Sequence, residues 1–504
     1  MLSQFALLIL GFFSQRAMNL YMGAELVGMN GVISNVINIL SVTELGISTA
    51  IVYHLYGALA RKDEAEIASL MNLYRKAYHV FAVLVFAAGM AVLPFIHLFM
   101  KNNSYSLSYI RVLYAMWLVR TVLSYLLTYR KSLLIADQKE YIASITGLIL
   151  NVVSYLAIIL LVTWEQNYLL ALGIGTVTEV VLNIWISWYV EQKYPFLRQR
   201  RKEKSTSSLT KRIVRDLKSL FISRISEKML YCTDNLIISG FIGVGTVGRY
   251  ANYCMITQAI SNILTILANT IQPTVGDYFT EKNRQRNYEI LRQLTFGFFC
   301  IASVVSVGLF SLITPFVRDI WLGPSYELGW GITVFCIVVL LVRIMGLPLS
   351  LVMGVTGLFE KEKNVGASSA LLNLIVSLAL VKPYGMAGVL LGTLLSYLLQ
   401  ILYRYIIYFR DFLEMPGEAL RYAQDIGEYL AVIAGEVLLM QKIVPLIYGA
   451  GGMLLFCVCF LLCIAIPLLL DLVIFGRGWR LQSIVTMVTV SYTHLRAHET
   501  ELHL

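Results

Sequence analysis

Tyr21-Met-Gly-Ala-Glu-Leu-Val-Gly28 returns 220 residues later as Phe241-Ile-Gly-Val-Gly-Thr-Val-Gly248. The echo continues in order along the chain. Leu93-Pro94-Phe95 answers to Thr314-Pro315-Phe316, Val119-Arg120 to Val342-Arg343, Leu150-Asn151 to Leu372-Asn373, and Gly175-Thr176 to Gly392-Thr393. The offsets stay between 217 and 223. Chance apolar similarity produces any one of these matches but hardly the ordered series, so the chain is read as a tandem repeat.

The text between these motifs is apolar. The 504 residues are 58% hydrophobic and 14% charged, where a soluble domain carries about 25% charged residues. Apolar runs long enough to cross a bilayer recur throughout, which predicts an all-α polytopic membrane protein. An outer-membrane barrel would show short alternating segments instead. About fourteen spans are expected, near 1–22, 29–57, 77–99, 109–130, 141–163, 168–190, 219–241, 249–275, 293–315, 330–356, 365–381, 385–408, 429–448 and 450–475. Six spans per repeat is an even number. Both halves then enter from the same side, and a pseudo-two-fold along the membrane normal relates them, as in transporters that hold substrate between two bundles. The expected domains are an N-terminal six-helix bundle (1–190), a basic linker (191–218), a C-terminal six-helix bundle (219–408), an amphipathic cytoplasmic segment (409–428), two extra helices (429–475) and a tail (476–504). The first span starts at Met1 with no basic region before it and reads as a transmembrane helix whose beginning is missing.

The net charge of +10 suggests nucleic acid until the basic residues are placed. With the N-terminus in the cytoplasm, inner connections and tail hold 29 Lys/Arg and outer connections five. That asymmetry puts both termini in the cytoplasm and accounts for the charge without nucleic acid. The linker, with Arg198-Gln-Arg-Arg-Lys202, is a topology signal or a binder of anionic head groups. All seven cysteines lie in apolar segments without a CxxC pair, so neither disulfide nor zinc is implied. The last fourteen residues, with His494 and His498, resemble translated adapter sequence and carry no functional reading.

The charges inside the spans carry the chemistry. Arg224, Glu227, Lys228, Tyr231 and Asn235 fall at i, i+3, i+4, i+7 and i+11, one helical stripe about 16 Å long with Asp234 beside it. A charge inside a bilayer normally faces a protein interior or a wet cavity. Arg224 and Lys228 suit a phosphate or pyrophosphate, Arg as a bidentate fork and Lys as a point charge. The rival reading is a self-compensated ion cluster. Arg120 and Arg343 are repeat mates that line a cavity or pair with a carboxylate, and Arg16 lines it or snorkels at the interface. Asn30, Ser34 and Asn38 make a polar face on span 2; Gln258, Asn262 and Asn269 make its counterpart on span 8. These faces are helix–helix glue or the walls of a polar cavity. Glu44, Glu179, Glu227 and Asp234 are candidate ion-coupling carboxyls. Glu436, outside the repeat, is given no role. No nucleotide-binding motif is present, so transport is driven by an ion gradient, the membrane potential or consumption of product. No cofactor, metal or catalytic residue is expected.

Tyr21-Met-Gly-Ala-Glu-Leu-Val-Gly-Met-Asn-Gly31, Leu40-Ser-Val-Thr-Glu-Leu-Gly-Ile-Ser48, Tyr56-Gly-Ala-Leu-Ala60 and Leu70-Met-Asn-Leu-Tyr-Arg-Lys-Ala-Tyr78 resemble the polysaccharide-transporter branch of the multidrug/oligosaccharidyl-lipid/polysaccharide exporter superfamily. The resemblance covers about residues 1–475. It implies a MATE-like fold of six, six and two helices in the bacterial cytoplasmic membrane. It further implies a monomeric flippase carrying undecaprenyl-pyrophosphate-linked repeat units of O-antigen, capsule or exopolysaccharide to the outer leaflet by alternating access through a cationic cavity. Expected partners are the lipid-linked oligosaccharide, membrane lipids, H+ or Na+, and a polysaccharide polymerase. Glu44 and Arg16 lie in or next to the matching stretches. The span-7 cations match only the family's charged lumen. A cation-coupled multidrug antiporter of the same fold predicts a carboxylate-dominated cavity, and cations here are at least as numerous. A membrane polysaccharide polymerase needs a large outer loop, and the longest, 316–329, is short.

Overall fold

The computed structural model describes residues 2–41, 47–198, 228, 232–279, 283–358, 361, 363–449 and 451–476. The described chain is helical: α1 (Leu2–Leu40), α2 (Ile47–Ala60), α3 (Glu64–Val92), α4 (Leu107–Thr128), α5 (Lys131–Ala136), α6 (Glu140–Trp164), α7 (Tyr168–Lys193), α8 (232–241), α9 (Val244–Phe279), α10 (Arg284–Pro315), α11 (Trp330–Val355), α12 (Lys363–Ile407), α13 (Pro416–Tyr448) and α14 (Met453–Phe475). Ten helical stretches among the described residues are long and apolar enough to cross a membrane. Their apolar side chains face outward, with Leu446, Leu454 and Val473 at 85%, 79% and 77% exposure. The cost of such exposure vanishes in lipid, so this is a multi-pass membrane protein.

Helix starts follow local chemistry. Asp63, Ser106, Asn167 and Asn283 each accept a bond from the backbone N–H three residues on, capping α3, α4, α7 and α10. Two breaks expected as loops are shorter than that. Helix α1 is interrupted only at Gly23 (φ 83°), and α12 only at Gly385 (φ 57°), which follows Pro383. A glycine with positive φ redirects a helix within one residue, because no Cβ opposes it. At the other ends the apolar windows understate the helices. Helix α3 begins at Glu64 rather than near 77, and α13 takes in the charged stretch after Pro416.

The chain forms two compact units. The first comprises Met1–Asn252 with Leu378–Gly385, the second Tyr253–Ser377 with Met386–Leu504. In the first unit the two echoing motifs cross each other. A Cβ on Gly28 would lie 2.0 Å from the Val244 carbonyl oxygen, and one on Gly248 would lie 1.8 Å from that of Ala24. These are repeat-equivalent positions, offset by 220 in both directions. The backbones touch, and Asn19 and Gln15 extend the contact by donating to Asn252 Oδ1 at 2.8 and 3.1 Å. A second tie holds the loop after α3 to the α8–α9 corner. Val244 N–H donates to the Lys101 carbonyl at 3.0 Å, and Asn102 Nδ2 to that of Ile242 at 3.0 Å. At the α5–α6 turn, Asp137 accepts from Lys139 and from Tyr194 beyond the end of α7. Burial pushes the Asp137 carboxyl up, but these two hydrogen bonds outweigh it and hold it below the usual range.

In the second unit α10 is the central helix. Its span is 61% buried, against 17% to 50% for the other spans that lie wholly in this unit. One core cluster joins Tyr288, Leu291 and Leu294 of α10 to Leu349 and Val352 of α11 and to Tyr408 and Phe409.

Two outcomes are expected. Gly28→Val or Gly248→Val forces the crossing apart and costs folded yield and melting temperature in detergent; Gly147→Ala, where nothing lies within 4 Å of the new Cβ, leaves both unchanged or slightly raised. The contribution of Asp137 is present above its unfolded titration near pH 4 and lost as pH falls through its lower folded value. Acidification should therefore lower the melting temperature, and Asp137→Asn should remove that part of the acid dependence.

Candidate functional site

Three of the sequence-selected residues converge in the first unit. Arg120 of α4 gives its Nε to Glu179 Oε2 of α7 at 2.7 Å, with side chains 21% and 17% exposed. Neither terminal guanidinium nitrogen makes a hydrogen bond among the described residues. The guanidinium carbon lies 5.4 Å from the ring centre of Trp117, one turn earlier on α4. Trp117 Nε1 donates to Asn30 Oδ1 of α1 at 2.8 Å, and the Tyr168 hydroxyl of α7 donates to the same oxygen at 2.8 Å. Both lone pairs of that oxygen are thereby engaged. Asn30 thus joins α1 to α4 and α7, and touches the ion pair's surroundings through Trp117. Gly175 makes room for it: a Cβ there would approach Ser154 Oγ to 3.2 Å and Arg120 Nη1 to 3.6 Å.

Trp117 and Tyr168 were not singled out from sequence. Trp117 carried a signal, since it stands at i−3 from Arg120 and must share its face. Tyr168 carried a weaker one, three helical turns before Glu179 on α7.

The second unit repeats part of this design. Gly392, the mate of Gly175, also sits against a serine: a Cβ there would meet Ser377 Oγ at 2.5 Å. Around it, Asn373 Nδ2 donates to Thr393 Oγ1 at 2.9 Å, Ser377 Oγ to the Val389 carbonyl at 3.2 Å, and Ser396 Oγ to the Ser369 carbonyl at 2.8 Å. All of these side chains are buried. Arg343, the mate of Arg120, lies with its guanidinium carbon 5.5 Å from the Tyr397 ring centre.

The other candidates do not join these groups. Arg16 is exposed on α1. Asn38 Nδ2 donates to Ser34 Oγ at 3.5 Å, both half-buried. On α9, Gln258 Nε2 donates to Asn262 Oδ1 at 2.9 Å, and Gln258, Asn262 and Asn269 form an exposed stripe. Lys228 is half-buried and Asp234 is buried. Glu44, Arg224 and Glu227 lie outside the described residues. Among the described residues no group of three or more His, Cys, Asp or Glu could hold a metal ion.

Multi-pass helices with an arginine–carboxylate pair inside a span are the makings of a membrane transporter. A family described as "Polysaccharide biosynthesis protein" matches residues 1–279. The chain belongs to that family. Among solved structures, "Lipid II flippase MurJ, inward closed conformation" superposes with a TM-score of 0.66 at 16% identity, over 94% of this chain and 98% of that one. An inward-facing multidrug resistance MATE family transporter of the MOP superfamily gives 0.62 at 13% identity, over 81% and 94%. A mutant of the Vibrio cholerae MATE transporter VcmN gives 0.52 at 10%, over 81% and 96%. The shared fold is that of these transporters. No curated protein matches the chain significantly by sequence.

The ion pair has a direct test. In a double-mutant cycle of Arg120→Gln and Glu179→Gln, melting in detergent should show a coupling of about 1–3 kcal/mol, the range for contacting charges. Either single variant should be less stable than the double, because each leaves one charge uncompensated in the span.

Proposed function

We propose that this protein is a flippase for a lipid-linked oligosaccharide, moving undecaprenyl-pyrophosphate-linked repeat units of capsule, O-antigen or exopolysaccharide from the cytoplasmic to the outer leaflet by alternating access. The observation that carries the reading, beside family membership, is Arg120. It is a cation within the spans whose terminal nitrogens make no hydrogen bond among the described residues, flanked by an indole, a phenol and an amide. That set suits a glycan phosphate. The guanidinium takes the phosphate oxygens, and the Trp117 ring and the Asn30 amide N–H take the sugar.

An anionic ligand competes with Glu179 for Arg120. The carboxylate so released needs a new partner in the membrane, and an H+ or Na+ arriving there would couple ion movement to substrate. Asp234 is a second candidate for such coupling. Arg16, Arg224, Lys228 and Arg343 would extend the cationic path. Asn30, Ser34, Asn38, Gln258, Asn262, Asn269, Glu44 and Glu227 complete the proposed lining. The reading further takes the protein to be a monomer in the bacterial cytoplasmic membrane with both termini inside. It takes no cofactor, catalyses no reaction, and hands its product to a polysaccharide polymerase. The domain limits given above follow the repeat. A multidrug antiporter on the same fold is disfavoured because intramembrane cations are at least as numerous as acids, where a cationic drug needs a carboxylate-dominated cavity.

The test is rescue of a flippase-deletion strain whose repeat unit matches. Arg120→Ala should lower surface polymer at least about tenfold, a loss of roughly 1.4 kcal/mol or more in the transport step, while lipid-linked precursor accumulates in the inner leaflet. Arg120→Lys should rescue only in part. Full export by Arg120→Ala at normal protein level would remove this residue from the substrate path. Drug resistance conferred without polymer export would favour the antiporter.

A further inference from the structure

Helices α10, α13 and α14 enclose a stack of side chains in constant register. Arg292 of α10 meets Asp425 of α13 through two hydrogen bonds, at 2.6 and 3.0 Å. Eleven residues further along both helices, Ser303 meets Glu436. The offset between partners is 133 in each case, so α10 and α13 run parallel over three turns. Aromatic rings fill the interval. Phe299 stacks on Tyr429 at 4.4 Å, and Phe475 of α14 closes edge-on at 5.5 and 5.7 Å.

The Ser303 layer is unlike the rest. Ser303 Oγ donates to Glu436 Oε2 at 2.6 Å, and Asp471 of α14 stands beside both. Glu436 and Asp471 are 3% and 4% exposed. Glu436 Oε1 and both oxygens of Asp471 have no hydrogen-bond partner, and neither has Ser306 Oγ, one turn further along α10. The titratable groups facing the carboxyls are one another and Cys300 of α10. Arg292, the cation on the same helix, is engaged by Asp425 beyond the aromatic layer.

Two ionised carboxylates cannot rest in this layer. Each accepts hydrogen bonds and donates none, so side by side in a span they repel and leave three oxygens unpaired. One proton relieves the repulsion. It turns one oxygen of Asp471 into a donor and removes one of the two charges, while Ser303 holds Glu436 Oε2. The proton needs no coordination sphere, which suits a layer in which Ser303 is already bonded to Glu436.

We propose that Glu436 and Asp471 hold a single proton between them, forming a proton-binding carboxyl pair that fastens α14 to α10 and α13. The site lies outside the echoing repeats and goes beyond the flippase reading without depending on it.

Infrared difference spectroscopy of the full chain in lipid, in H2O and D2O across the neutral pH range, tests this. One protonated-carboxyl stretching band is expected at neutral pH in the wild type. It should shift or vanish in Asp471→Asn and in Glu436→Gln alike, and be absent from the double variant. Asp471→Asn supplies an amide donor where the proton is placed, so it should melt at or above the wild-type temperature. Absence of the band in the wild type, or its persistence in the double variant, overturns the proposal. A marked loss of stability in Asp471→Asn does so too, and it reads out even where the double variant does not fold. Carboxylate bands and a melting temperature that respond to Na+ rather than to pH would show a metal cation in place of the proton.

Discussion

Arg120 and Glu179 face each other across 2.7 Å in two membrane-spanning helices. That contact sets the terms for everything around it. A charge brought into a span alone costs a few kcal/mol or more, and a paired one costs much less. The pair in turn dictates its neighbours. Gly175 must be small because a Cβ there would crowd Ser154 Oγ at 3.2 Å beside the guanidinium. Trp117 must keep its ring face towards Arg120 and its N–H on Asn30, and Tyr168 shares that acceptor. Through Trp117 the ion pair is tied to three helices, α1, α4 and α7, that meet at one amide oxygen.

The sequence was most legible where the repeat was. The motifs ending in Gly28 and Gly248 were matched as text, and in space they touch at those glycines. The reason is physical: a crossing of two equivalent helices at backbone contact demands glycine on both, so the same residue is needed twice. The Gly175 and Gly392 echo has the same origin, a serine seated against each. Span limits were less legible, because hydropathy windows see apolar length and miss a reversal made by one positive-φ residue, as at Gly23 and Gly385. They also stop at charge, although α3 and α13 continue through it where Asp63 caps one helix and Arg292 receives Asp425 on the other.

Of the candidate site, Asn30, Arg120 and Glu179 were readable as polar residues in apolar surroundings, but their meeting was not. They come from helices separated by 90 and 59 residues, and nothing in local spacing brings them together. The α9 stripe of Gln258, Asn262 and Asn269 was legible as a periodic pattern, and the structure leaves it exposed. Periodicity identifies a face and does not say what the face meets.

Glu436 shows the same limit from the other side. Alone on a helix outside the repeat it invites no role, because a single acid in a span is satisfied by any donor nearby. Its significance arises only when α14 returns antiparallel and sets Asp471 against it. The three-helix stack then contains two acid layers with opposite solutions. Asp425 receives a guanidinium through both oxygens and needs nothing more. Eleven residues on, at the same register, the guanidinium is replaced by a serine that offers one donor to four carboxylate oxygens. Charge cannot balance there with protein groups alone. An arginine at position 303 would have neutralised one of the two acids permanently, and a leucine at 436 would have removed the repulsion. A serine with two acids instead leaves the second charge to one small, exchangeable cation, the place of the proposed proton.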